Sequence, residues 1–189
     1  MVRCNLLCGL AMVLVAAGCQ DPPVPLPRGY FRIALPDPAY TEDIAASGLR
    51  FQRPVYAHVG AGEQRDAATF FTLDFPTLDA QVFVAHFALK GDLDAHIAAV
   101  HGEVATHEIK ASGIGRRRFA FPERRVYGVF FDLEGPVATP VHLFATDSTE
   151  HFLHATLYFN HRPNPDSIAP SLDRVQADLE HWVETLHWP

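Results

Sequence analysis

The stretch His151 to Asn160 (HFLHATLYFN) constrains this chain more than any other. It holds no Gly or Pro, so nothing interrupts an extended backbone. As a strand it sends Leu153, Ala155, Leu157 and Phe159 to one face and Phe152, His154, Thr156 and Tyr158 to the other. The first face is wholly apolar and the second only partly so. Such a strand needs cover on one side and is half-open on the other. Asp147 and Ser148 suit the turn before it, because short polar side chains bond their own backbone there. Arg162-Pro163-Asn164-Pro165-Asp166 breaks it.

The next segment supplies the cover. A helix is expected from Asp166 or Ser167. With Ser167 as its cap, Pro170 falls in the first turn, where a missing N–H costs nothing. Leu172, Val175, Leu179, Trp182, Val183 and Leu186 make one apolar stripe, with Asp173, Arg174, Asp178, Glu180 and Glu184 off it.

Upstream, Gly29 to Leu35 reads as a first strand, stopped by Pro36 and Pro38. Tyr40 to Leu49 reads as short helix or loop, Phe51 to Val59 as a weak strand broken at Pro54, and Gly60 to Asp66 as loop. Ala68 to Phe75 and Ala80 to Leu89 are strands joined by Pro76-Thr77-Leu78-Asp79. Asp92 offers a cap for a helix from Leu93 to about Thr106, weakened in its final turn by Gly102. Arg116 to Phe121 and Arg125 to Leu133 are strands joined at Pro122-Glu123. Val141 to Thr146 pairs with His151 to Asn160 as a hairpin. No internal repeat is evident. Short turns favour antiparallel pairing. The class is therefore α+β: a twisted antiparallel sheet of about six to seven strands flanked by two main helices. The element order resembles PsbP/Mog1-like domains.

Three blocks carry a family resemblance: DSTEHFLHATLYFN followed by RPNPDSIAP and a helix ending LHW; PRGYFRIALP (Pro27 to Pro36); and VYGVFFDLEG (Val126 to Gly135). Together they resemble the gliding motility lipoprotein GldD family. The resemblance implies a part in gliding motility and its associated type IX secretion machinery, through contacts with other envelope proteins. It brings no established chemistry with it.

All three cysteines, Cys4, Cys8 and Cys19, lie in the first nineteen residues. A disulfide framework, a thiolate metal site and a catalytic cysteine are thereby excluded from the folded part. Arg3 precedes a short apolar run, Leu6 to Ala17, that has the character of a secretory signal. Its exit, Val15-Ala16-Ala17-Gly18-Cys19, resembles a bacterial lipobox, although Ala16 is smaller than the usual aliphatic. Residues 1–18 are expected to be cleaved, with acyl chains added at Cys19, which anchors the protein facing the periplasm. Residues 19–27 are Pro-rich and act as a semi-rigid tether. Residues 28–189 form one domain, a length that supports a sizeable core. The chain carries a formal charge of -7, which argues against general nucleic-acid binding.

The eleven histidines show no metal-ligand spacing. His96, His101 and His107 do not share a helical face, and His151 and His154 point to opposite sides of a strand. No cofactor or metal is expected. Asp147, Ser148 and His151 read as a capped turn, since no nucleophile elbow accompanies them. The candidate interaction residues are basic. Arg116, Arg117, Arg118, Arg124 and Arg125 form the one concentrated positive patch, suited to an anionic partner surface. Arg28, Tyr30 and Arg32 form a second candidate surface. A competing reading is a small-ligand carrier, with aromatics such as Phe70, Phe83, Phe130, Phe152 and Trp182 lining a pocket between the sheet and the C-terminal helix.

Overall fold

The computed structural model describes residues 35–37, 39–160 and 164–189. The signal segment, Cys19, Arg28, Tyr30, Arg32 and the strand expected from Gly29 lie outside these, apart from Leu35, which has no regular structure. Ten strands follow in chain order: β1 (Tyr40–Ile44), β2 (Arg50–Pro54), β3 (His58–Val59), β4 (Glu63–Arg65), β5 (Ala68–Phe75), β6 (Ala80–Ala88), β7 (Gly113–Phe121), β8 (Val126–Glu134), β9 (Val141–Thr146) and β10 (His151–Phe159). Among the described residues two α-helices accompany them: α1 (Leu93–Thr106), between β6 and β7, and α2 (Pro165–Glu184), after β10. Among the described residues no helix is long and apolar enough to cross a membrane.

Eight strands form one sheet in the order β3-β5-β6-β10-β9-β8-β7, with β4 also paired to β5. Every pairing is antiparallel. The class is α+β, as expected. β10 sits at the centre, bonded along one side to β6 and along the other to β9. Its wholly apolar face turns towards α2. There Leu153, Ala155 and Leu157 meet Val175, Leu179, Trp182 and Val183 of α2 in one buried cluster. Each leucine or valine among them stabilises the fold by about 1.5–3 kcal/mol when removed from water. The β1–β2 ribbon closes the edge of this layer, with Phe51 set edge-on against Trp182 at 5.6 Å between centroids. On the opposite face Val100 and Val104 of α1 cover Phe131, Phe144 and Phe152.

Several elements differ from expectation. Tyr40–Ile44 is a strand rather than helix or loop, and Glu63–Arg65 is a strand within the expected loop. Both are polar segments held by ladder bonds more than by burial. α2 begins earlier than expected, with Asn164 before it and Pro165 at its first position. Pro170 is therefore interior, and Ser167 hydrogen-bonds the Asn164 carbonyl rather than capping. Asp92 precedes α1, but its carboxylate accepts the Lys90 N–H at 2.9 Å instead of capping the helix. The alternative pocket between sheet and C-terminal helix is not formed by the described residues: Trp182 is 1% exposed, Leu179 1%, and Leu153 0%.

The backbone also carries a repeat that the sequence hides. The hairpins β5–β6 and β7–β8 turn through the same device: Phe-Pro, one 3-10 turn, then a left-handed residue. That residue is Asp79 in one (φ 51°) and Arg125 in the other (φ 53°). The sheet order is symmetric about the central β9–β10 hairpin. Only Phe-Pro is shared at the sequence level, because the backbone geometry, not the side chains, recurs.

Gly128 on β8 marks the tightest approach. A Cβ there would run into the Phe144 carbonyl oxygen and the Phe119 ring, whereas one at Gly102 on α1 would meet nothing within 4 Å. Gly128→Ala is expected to cost about 1–3 kcal/mol through overpacking. Gly102→Ala should gain up to about 1 kcal/mol of helix propensity. Urea unfolding of the two variants checks the opposed signs.

Candidate functional site

α1 covers the sheet over β8, β9, the start of β10 and the Phe87 end of β6. Beyond it, β5, β6 and the end of β10 expose Phe70, Phe83 and Tyr158. A groove of about 760 Å³ runs over this open face, lined among others by these three aromatics, Glu103, His154 and Thr156. Phe83 and Tyr158 meet edge-to-face at 5.2 Å.

At the inner end of the groove three elements converge. β9 contributes His142, β10 contributes His154 and Thr156, and α1 reaches over with Glu103. His142 Nδ1 lies 3.7 Å from Glu103 Oε1, and His154 Nδ1 lies 3.8 Å from Glu103 Oε2. All three ligand atoms fall within 4.8 Å of one another. The two imidazoles are nearly parallel, 15° apart. Thr156 Oγ1 sits between them, 3.3 Å from His142 Nδ1 and 3.4 Å from His154 Nε2. Behind His142, Thr139 Oγ1 lies 3.0 Å from His142 Nε2 and 3.1 Å from His107 Nε2. His142 is fully buried. Burial, with His154 and His107 beside it, pulls its pKa down to about 3. His154 is also lowered by burial, against the opposing pull of Glu103. Both rings are therefore neutral at pH 7, with nitrogen lone pairs available beside a carboxylate.

The expectation of no metal-ligand spacing holds within each element, but the fold gathers a two-histidine, one-carboxylate set across three of them. Its one sequence signal was the polar, half-open face of β10, which carries His154 and Thr156.

The opposite face has its own polar cluster. The buried Asp178 carboxylate accepts hydrogen bonds from Tyr40 (3.0 Å), Tyr56 and Arg174 (2.7 Å). Arg174 also donates to the Tyr56 hydroxyl at 2.7 Å. Every partner is satisfied, and the cluster ties α2 to β1 and to the loop after β2.

Asp147, Ser148 and His151 form the capped turn that was expected. Asp147 Oδ1 accepts the N–H groups of Thr149, Glu150 and His151 at 3.0, 2.8 and 2.9 Å. Burial alone would raise this carboxyl, but these bonds and the Thr149 hydroxyl outweigh it and hold the pKa at about 2. The His151 ring faces away from the turn, against His86 (Nδ1 to Nε2, 3.2 Å) and stacked on Trp188.

The arginine patch divides. Arg117 points to the α2 side, where it pairs with Asp132 at 2.7 Å and Glu180 at 2.5 Å. Arg124 pairs with Glu123 and lies over Phe121. Arg125 bonds Thr149 at 2.7 Å beside Asp147. Arg116 and Arg118 are exposed on the other face of β7, the last strand of the sheet, and have no ion-pair partner among the described residues.

Fold and site together define an α+β domain with one closed face and one half-open face, the latter bearing a histidine–carboxylate cluster. The family model of the gliding motility lipoprotein GldD matches residues 20–188. The chain belongs to this family. No curated protein and no solved structure was found to match it.

His86 gives a pH test of this packing. Burial, with His151 alongside, lowers its pKa from 6.5 to about 4, against a weaker opposing effect of Asp147. Between about pH 4 and 6.5 the unfolded chain binds more protons than the folded one. The stability from keeping His86 neutral is thus complete above about pH 6.5 and lost as pH falls towards 4. The urea midpoint should drop across that window, and His86→Gln should flatten the drop. An identical slope in the variant would remove His86 from the explanation.

Proposed function

We propose that this protein is held in the cell envelope by acyl chains on Cys19, faces the periplasm, and supports gliding motility and the associated type IX secretion machinery through non-catalytic protein contacts. The observation that carries this reading is the GldD family match, which spans the folded domain from end to end. Confinement to a membrane raises the domain's effective concentration near partners held in the same layer. The Pro-rich residues 19–27 would hold it clear of the bilayer.

The contact surface we favour is β7. It is nine residues long, pairs on one side with β8, and has no strand on its other side among the described residues. An uncovered edge accepts an added strand from a partner through main-chain hydrogen bonds. Edge charges also guard against unwanted pairing, so a permitted partner is expected to offer carboxylates to Arg116 and Arg118. Arg117, Arg124 and Arg125 contribute less, because the fold already uses them. Arg28, Tyr30 and Arg32 are proposed as a separate contact surface. A small-ligand role is the second reading, favoured by the open aromatic groove rather than by the filled α2 interface.

Two variants in a gliding host test the proposal. Cys19→Ser should release the protein from membranes. Arg116→Ala/Arg118→Ala should stay membrane-bound yet recover at least one envelope partner about tenfold less well, a loss equivalent to about 1.4 kcal/mol. Equal recovery of every partner, with normal colony spreading, would reject the β7 surface.

A further inference from the structure

We infer that Glu103, His142 and His154 form a binding site for one divalent transition-metal ion of the zinc class. The three donors come from α1, β9 and β10, and their ligand atoms lie within 4.8 Å of one another. Glu103 stands 3.7 Å from His142 Nδ1 and 3.8 Å from His154 Nδ1. Those separations are too long for hydrogen bonds, which end near ~3.2 Å. They are also shorter than the ~4.1 Å spanned by two zinc bonds end to end, and longer than the ~3.3 Å between two ligands of an ideal tetrahedron. An ion between the carboxylate and the rings therefore requires the donors, which lie within 4.8 Å of one another, to draw together on binding. Glu103, on a side chain 43% exposed, is free to supply that movement.

The surroundings of His142 are those of a positioned ligand. If Nδ1 holds the ion, Nε2 carries the proton and donates it to Thr139 Oγ1 at 3.0 Å, and the Thr139 hydroxyl then donates to His107 Nε2 at 3.1 Å. Outer hydrogen bonds of this kind fix the tautomer and ring orientation of metal-bound histidine. Thr156 Oγ1, 3.4 Å from His154 Nε2, is placed to take the proton of that nitrogen when His154 Nδ1 holds the ion, while its contact with His142 Nδ1 gives way to the ion. The donor chemistry selects the ion: two imidazoles and one carboxylate suit zinc and its neighbours, not calcium or magnesium, which take oxygen shells. Glu103 and His154 also line the groove. The fourth coordination position therefore opens on it, where water or a carboxylate-bearing ligand completes the shell.

This inference goes beyond the contact role proposed above and is tested without any partner. The mature lipoprotein, purified in detergent and stripped with a chelator, is titrated with ZnCl₂ by calorimetry and with CoCl₂ by visible absorbance. One equivalent should bind, and cobalt should show the visible bands of a four- or five-coordinate ion. Glu103→Gln and His154→Asn, both at partly exposed positions, should each weaken binding at least tenfold while their circular dichroism stays that of the parent. His86→Gln, which alters the other histidine pair, should bind as the parent does. Zinc should raise the melting temperature of the parent and leave that of Glu103→Gln unmoved. Unsaturable binding, or equal affinity in parent, Glu103→Gln and His154→Asn, would overturn the site. Loss of binding in His86→Gln alone would place the ion elsewhere and overturn it equally.

Discussion

The packing of β10 on both faces and both edges is the constraint from which the rest follows. A central strand cannot leave backbone groups unpaired, and β6 and β9 take up its two edges. Its side chains then sort the cover. Leu153, Ala155 and Leu157 demand an apolar lid, and α2 supplies one with Val175, Leu179, Trp182 and Val183. Phe152 draws α1 over the other face. His154 and Thr156 cannot join that apolar cluster without partners, because an unpaired polar group in a dry layer costs several times what a hydrogen bond returns. Thr156 meets both His142 and His154, and Thr139 in turn meets His142. The polar cluster on the open face is thus a consequence of the strand's own alternation.

The same logic governs the closed face. Asp178 sits on the apolar side of α2 with its side chain out of solvent. Its carboxylate is satisfied by Arg174, one turn away, and by two tyrosines. The pairing also fixes where the β1–β2 ribbon docks, since Tyr40 begins β1 and Tyr56 follows β2. A buried charge with dedicated partners specifies position better than it adds stability. Arg125 plays a comparable part at the other end of the sheet. It occupies a left-handed backbone position, which is unusual for a long side chain, and its guanidinium reaches back to the β9–β10 turn.

Much of this architecture was legible from alternation and helical spacing. β5, β6, α1, β9 and β10 appear where apolar residues recur at period two or at helical intervals, since burial is what writes such patterns. β1 and β4 were missed for the converse reason: Thr41, Glu42, Glu63 and Arg65 are held by pairing at the margin of the fold, and partners in a ladder leave no mark on either strand. The start of α2 was displaced because Pro165 and Pro170 both suit a first turn, and only the backbone chooses between them. The arginines were legible as a cluster but not as a surface. Asp132 and Glu180, which engage Arg117, come from distant parts of the chain. Glu103, His142 and His154 were illegible as a set, because ligand spacing is readable only inside one element.

For a member of the GldD family, this arrangement divides the molecule's tasks. The closed face is packed against α2, while the half-open face and, among the described residues, the outer edge of β7 have no strand laid against them. Both depend on β10 being the last strand to open. Native-state hydrogen exchange measures this directly. Amides of Leu153 to Leu157 should exchange only through global unfolding, with protection matching the stability found by denaturant, and those of β7 should exchange faster. Exchange in β10 as rapid as in β7 would contradict the account.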